Sequence, residues 1–400
     1  MMARCARSRT SALALLALAA LVRPSPAEAV KIGVLTDMSG IVADATGAGS
    51  VVAAQLAAED VGGTVLGQPV EIVSADDQLK PDVAGAIARR WFDQEHVDAV
   101  VDLIVTPIAL AVQQLGRDKN KIVLITGAGS QVLFGTNCTP TSFIWVFDTA
   151  LQSRTAVLAE PGRGIKWFIL VPAYSYGVEM EALLRGDIAA QGGVVVGSMP
   201  VAFGNADFSS AILSAQSSGA NVVAFAQAGH DASNLVRQAH EFGLASSGQK
   251  LVAALLFITD VDAIGLSSID GLFVPTTFYW DADDVTRAFS KRFANRVGRP
   301  PTSLQAGVYS AVLHYLKAVR ASGTADTATV AAAMRAAPVN DATVQNGHIR
   351  ADGRLVRDMY LMQVKAPEES HGPWDYYRVV RHVPAGELQS AAPNADCRLN

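Results

Sequence analysis

The chain alternates short apolar runs, rich in Val, Ile, Leu and Ala, with longer stretches of helical period. Segments 30–36, 69–75, 99–103 and 122–126 read as strands, with helices expected at 48–61, 82–94 and 108–117 between them. Strands that are apolar throughout are buried on both faces, which implies a parallel sheet covered by helices on each side. The alternation then restarts. Strands are expected at 166–171, 194–200, 221–226 and 250–254, and helices at 179–190, 207–217 and 232–242. Two βα assemblies of similar size follow, joined around 141–148. Beyond them, 281–297, 303–321 and 327–336 read as helices, with a break at Gly298-Arg299-Pro300-Pro301. Strand-like pieces near 348–350, 358–364 and 376–380 come last, a tail able to complete both assemblies by crossing between them.

Residues 1–29 have a different pattern. Arg4, Arg7 and Arg9 precede an apolar run at 11–22, and Ala27-Glu28-Ala29 fits a small-x-small cleavage site. This is the layout of a secretory signal, with the cut expected after Ala29 and export from the cytoplasm. The apolar run is shorter than the ~20 residues that span a bilayer, and no later segment reads as a span.

Removing 1–29 takes four Arg and one Glu from a chain of 32 basic and 37 acidic residues, leaving a net charge of −8. That excess of acid argues against nucleic acid or an anionic membrane surface as partner. Cys5 leaves with the signal, so the mature chain holds Cys138 and Cys397. In an oxidising compartment the two are expected to pair, the alternative being two free thiols. Neither lies in a CxxC or near a His pair, so no metal site is expected.

Chemistry in such folds collects at the carboxyl ends of the strands. Here those ends carry hydroxyls and glycines: Asp37-Met38-Ser39-Gly40, Val105-Thr106-Pro107, Thr126-Gly127-Ala128-Gly129-Ser130, Ala173-Tyr174-Ser175-Tyr176-Gly177 and Gln227-Ala228-Gly229-His230. Free amides at helix starts, helped by Ser and Thr, hold carboxylates without Arg. Simple N-capping uses the same residues, but several such loops across both assemblies favour a ligand site. There is no GxSxG, GxxxxGK[ST] or HExxH. Gly127-Ala128-Gly129 lacks the third glycine of a dinucleotide loop. No cofactor and no enzymatic activity are expected. Asp76-Asp77 reads as a loop cap or rim charge, and Phe278-Tyr279-Trp280 either floors a pocket or packs in the core.

The ordered set IGVLTDMSG, AAQLAAEDV, LITGAGSQVL, PAYSYG, ADFSSAILSAQSSGANVVAF, QAHEFGL and PTSLQAGVYSAVLHYLKAV resembles type I periplasmic binding proteins. These are solute receptors of ABC importers of the branched-chain amino-acid class. The resemblance covers essentially all of 30–385. It implies an α/β fold of two lobes, each a mostly parallel sheet flanked by helices, with about three hinge crossings and the ligand in the cleft. Lobe 1 is expected at 30–146 plus 279–357, lobe 2 at 147–278 plus 358–385, and a C-terminal arm at 386–400. Carried over by position, Thr106, Ala128 and Ser130, with Ser39 nearby, would contact ligand from the first lobe. Tyr176, Gly229 and Asp260 would do so from the second. The expected partners are a small organic acid or amino acid and an inner-membrane ABC permease, and the protein is expected to be a monomer.

Departures from the family's pattern shape the ligand expected. Amino-acid binders present a run of Ser where this chain has Val105-Thr106-Pro107, and an aromatic residue where it has Gly229. Asp260 is the one good carboxylate for an ammonium group. Tyr174, Tyr176 and Phe278 around Gly229 leave room for a flat ring, and DMSG, WVFDTAL and GPWDYY look most like receptors for lignin-derived aromatic acids. An aromatic or other small organic carboxylate is therefore expected ahead of a branched-chain amino acid. A sensory protein of the same fold and a secreted hydrolase or oxidoreductase are the other classes weighed.

Overall fold

A computed structural model describes residues 1–2, 29–388 and 392–399. The expected signal segment lies almost wholly outside them. The first sheet has six strands in the spatial order Thr64–Val65, Gln68–Asp76, Val30–Thr36, Ala99–Asp102, Ile122–Ile125, Ser142–Ile144. All pairings are parallel except the short edge hairpin, where Thr64 faces Pro69. The central strands are fully buried, which is why they read as unbroken apolar runs.

Helices Gly47–Asp60, Pro81–Asp93 and Thr106–Asp118 cover this sheet, together with Asp284–Val297, Ser303–Ser322 and Thr327–Ala336 from late in the chain. Ser303–Ser322 is buried along nearly its whole length. It starts at a Thr302/Gln305 capping box and stops where Gly323 turns left-handed. Asp284–Val297 begins three residues later than the sequence suggests, because Asp283 caps it through the Thr286 amide.

The second sheet runs Tyr377–Val383, Met359–Val364, Phe273–Thr276, Lys250–Ala253, Val222–Phe225, Lys166–Pro172, Val194–Val201. Its first two strands, from the tail, are antiparallel and the others parallel. Strand-like 348–350 forms instead a two-stranded ribbon, His348–Ile349 with Leu355–Val356.

Within the described residues the chain passes between the sheets three times, at 145–148, 277–283 and 357–358. Two of these crossings are tied by a buried ion pair: Arg354, just before the third, donates through Nε to Asp148 of the first at 2.9 Å. Asp148 also caps helix Thr149–Val157 through the Leu151 amide at 2.7 Å. The C-terminal segment is bridged, Cys138 to Cys397, with the Cα atoms 5.5 Å apart. Residues 385–388 form one helical turn where an extended arm was expected.

Candidate functional site

The carboxyl ends of both sheets face a cavity between the lobes. One side is formed by Ile104, Val105 and Thr106, Gly127 to Gly129, and Val42 of the loop after the first strand. The other side is Tyr174, Tyr176, Phe203, Ala228, Leu255 and Phe257, with Phe147 from the first crossing. Among the described residues no charged side chain lines it. Its volume is about 40 Å³, well under the ~150 Å³ of a cavity that takes benzene. A ring therefore enters only if the lobes part at the hinge, the usual motion of this architecture.

On the first-lobe side, Thr106 is buried in the first turn of its helix. Val105, in the cap position, supplies no side-chain hydrogen bond, so the helix start keeps donors for an anion. Pro107 removes one of them. The Ala128 amide already donates to the Leu103 carbonyl at 3.0 Å. Ser130 is buried, and its hydroxyl donates to the Glu179 carboxylate rather than standing free.

Across the cleft, Tyr174 and Tyr176 stack with centroids 5.9 Å apart, and Phe203 meets Tyr174 edge-on at 5.3 Å. Burial drives both phenols well above the usual tyrosine range. They stay protonated and can donate. The Tyr176 hydroxyl has Gln152 at 3.4 Å.

Four expected site residues do other work. Ser39 is exposed, its hydroxyl bonded to Asp76 at 2.6 Å. Gly229 is a contact between the lobes. It has φ +60°, and a Cβ there would lie 2.2 Å from the Ile41 carbonyl oxygen. The next amide, His230, donates to that same oxygen at 3.1 Å. So glycine here brings the lobes together rather than making room for a ring. Asp260 is buried and does not line the cavity; its carboxylate accepts the Phe257 amide at 2.9 Å. Burial pushes it up to about 7 against the pull of the Phe257 and Gly229 amides. It holds the main chain behind the wall and offers no open face to an ammonium group. Phe278 packs in the first-lobe core, edge-on to Phe289, and lines a separate cavity of about 120 Å³ at the hinge. Asp76 and Asp77 act as loop caps, accepting the Gln78 and Leu79 amides at 2.8 Å.

Phe147, Phe203, Phe257 and Glu179 were not singled out from the sequence. Phe203 does follow a strand end, that of Val194–Val201, and the same rule that flagged the other loops would have found it.

A family model described as periplasmic binding protein matches residues 29–371. A periplasmic binding protein from Burkholderia mallei is 38% identical, with a TM-score of 0.87 over 93% of this chain and 99% of that one. A branched chain amino acid ABC transporter periplasmic ligand-binding protein from Burkholderia xenovorans is 44% identical, with a TM-score of 0.82 over 90% and 96%. At 20% identity the likeness is one of fold: a solute binding protein of an ABC transporter from Rhodopseudomonas palustris, solved with 3,4-dihydroxy benzoic acid, has a TM-score of 0.81 over 89% and 98%. Two lobes with a strand-end cleft, reached again by these likenesses, make this chain a type I member of the periplasmic binding protein family, a solute receptor of an ABC importer and not an enzyme.

Proposed function

We propose that the protein binds a small aromatic monocarboxylate in the interlobe cleft and presents it to an inner-membrane permease. The observation that carries this is the cavity wall: five aromatic rings, Phe147, Tyr174, Tyr176, Phe203 and Phe257, and, among the described residues, no charged side chain. A ring between such walls gains apolar burial and edge or face contacts. The carboxylate is served by the uncapped helix start at Thr106, and the protonated phenols suit ring hydroxyls. An α-ammonium group buried here would need an anionic partner on the wall. The dihydroxybenzoate found in a relative of the same fold supports the reading as a precedent.

A branched-chain amino acid is the second reading. It is favoured by Glu179, whose carboxylate is bonded to Ser130 beside the cavity, and by the description of the Burkholderia xenovorans relative.

Thermal melts of the mature protein with benzoate, 4-hydroxybenzoate, 3,4-dihydroxybenzoate, leucine and valine separate the two. A ligand at 100 times its Kd adds about 2.7 kcal/mol, a shift of a few degrees for a chain of this size. Shifts with the acids and none with leucine or valine are expected; the reverse pattern overturns the proposal.

A further inference from the structure

Glu179 stands one helical turn beyond Tyr176 on helix Ser175–Ala190 of the second lobe. Its carboxylate accepts three neutral donors: the Ser130 hydroxyl, the Thr149 hydroxyl and the Gln131 amide, the last at 2.8 Å. Ser130 and Gln131 belong to the first-lobe loop that also contributes Gly127 to Gly129 to the cavity. Thr149 opens the helix just past the first crossing and donates its amide to the Gly129 carbonyl at 2.9 Å. A hydroxyl and an amide side by side at a strand end form a corner suited to a carboxylate. Here a carboxylate of the protein fills it. The neighbouring Ala128 amide is bonded to Leu103. For a ligand anion the first lobe then offers the helix start at Thr106, several residues away along the same wall.

We infer that Glu179 is a specificity-determining residue. It occupies the Ser130–Gln131 corner, directs the ligand's carboxylate to the Thr106 end and turns away a ligand that carries a second carboxylate. The inference rests on the aromatic-acid reading above. Like charges near one corner repel, and the low dielectric of a closed cleft strengthens that repulsion. Tyr176 on the cavity wall already feels the Glu179 charge.

The test is calorimetry with benzoate and terephthalate on the mature, oxidised protein, as wild type, Glu179→Gln and Glu179→Ala, each checked by its melt. Glutamine keeps the shape and can still accept the Gln131 amide, so it removes the charge alone; alanine is the second variant should glutamine perturb the fold. Wild type is expected to bind benzoate at least tenfold more tightly than terephthalate, and the variants to shrink that ratio by about tenfold. An unchanged ratio overturns the inference, as does a wild type that takes both acids equally. If wild type binds leucine and neither acid, the functional reading falls separately. In that case a large loss of leucine affinity in Glu179→Gln makes Glu179 an ammonium partner and overturns its excluding role, whereas newly gained glutamate binding upholds it.

Discussion

On the first-lobe side the cleft wall is main chain and small side chains: Gly127 to Gly129, Thr106 and Val105. On the second-lobe side it is rings, with Phe203 39% exposed at the rim. The first wall is set by close approach. A Cβ on Gly127 would lie 2.5 Å from the Ile104 Cα, so the loop has one way to sit. It is also braced from behind, since Cys138 anchors the C-terminal segment and Asn394 reaches Gly135. The second wall is made of side chains that can turn about χ angles. On the reading proposed above, the first wall would orient the anion and the second would meet the body of the ligand.

The largest test of that contrast is the brace. The bridge closes a loop of 259 residues, for which the chain-entropy model gives roughly 5 kcal/mol as an upper figure. Cys397→Ser, or reduction, is expected to lower the unfolding free energy measured in denaturant. Hydrogen exchange should rise across 127–138 and stay unchanged at 174–176. Equal loosening of both walls would erase the distinction.

Next comes pH. Asp77 is fully buried at the strand ends of the first lobe; burial, then the charges of Asp102, Asp37 and Asp76, push it up to about 7. Asp260 reaches about 7 in the second lobe through burial. For a raised carboxyl the folded state holds its proton while the unfolded chain has released it. The contribution of these two groups to stability therefore falls as pH rises from about 4 to about 7, by up to ~1.4 kcal/mol per unit per group, and is level above that. Asp77→Asn should keep the Leu79 cap and flatten the first-lobe share of this slope in urea titrations at pH 4, 5.5 and 7. A slope identical to wild type would show that Asp77 does not retain its proton.

The smallest effects set the two walls against each other directly. Gly127→Ala should lose about 1–3 kcal/mol of stability by overpacking and weaken every ligand alike. Phe203→Ala, at an exposed ring, should change stability by no more than ~0.5 kcal/mol and weaken benzoate about tenfold by calorimetry, in keeping with a stacked ring pair. A stability loss in Phe203→Ala matching that of Gly127→Ala would mean that the second wall is as structural as the first.

The sequence revealed most of the sheet strands because continuous apolar runs leave little choice of environment. Thr149–Val157 was hidden for the opposite reason. Its Thr149, Gln152, Ser153 and Thr155 are buried polar residues, so it has neither an apolar stripe nor a solvent face. Ser142–Ile144 is three residues long and looked like part of a connection. In the site, motifs at strand ends led to Thr106, Ala128, Tyr174 and Tyr176, all of which line the cavity. The same motifs could not separate a hydroxyl that faces the cleft from one that caps a loop. Ser39 on Asp76 and Asp260 on the Phe257 amide are of the second kind. Glu179 escaped notice because a single acid on a helix face carries no local signal; its meaning lies in residues 48 and 49 positions away.

The bridge between Cys138 and Cys397 also has a bearing on timing. Cys397 lies beyond Tyr377–Val383, the last strand described in either sheet, so the bridge can close only after all of those strands have emerged. Until it closes, Cys138 is a thiol on the loop that follows Gly127 to Gly129. The connectivity therefore does not oblige the lock to precede the pairing of the sheets, and it can be the last link made.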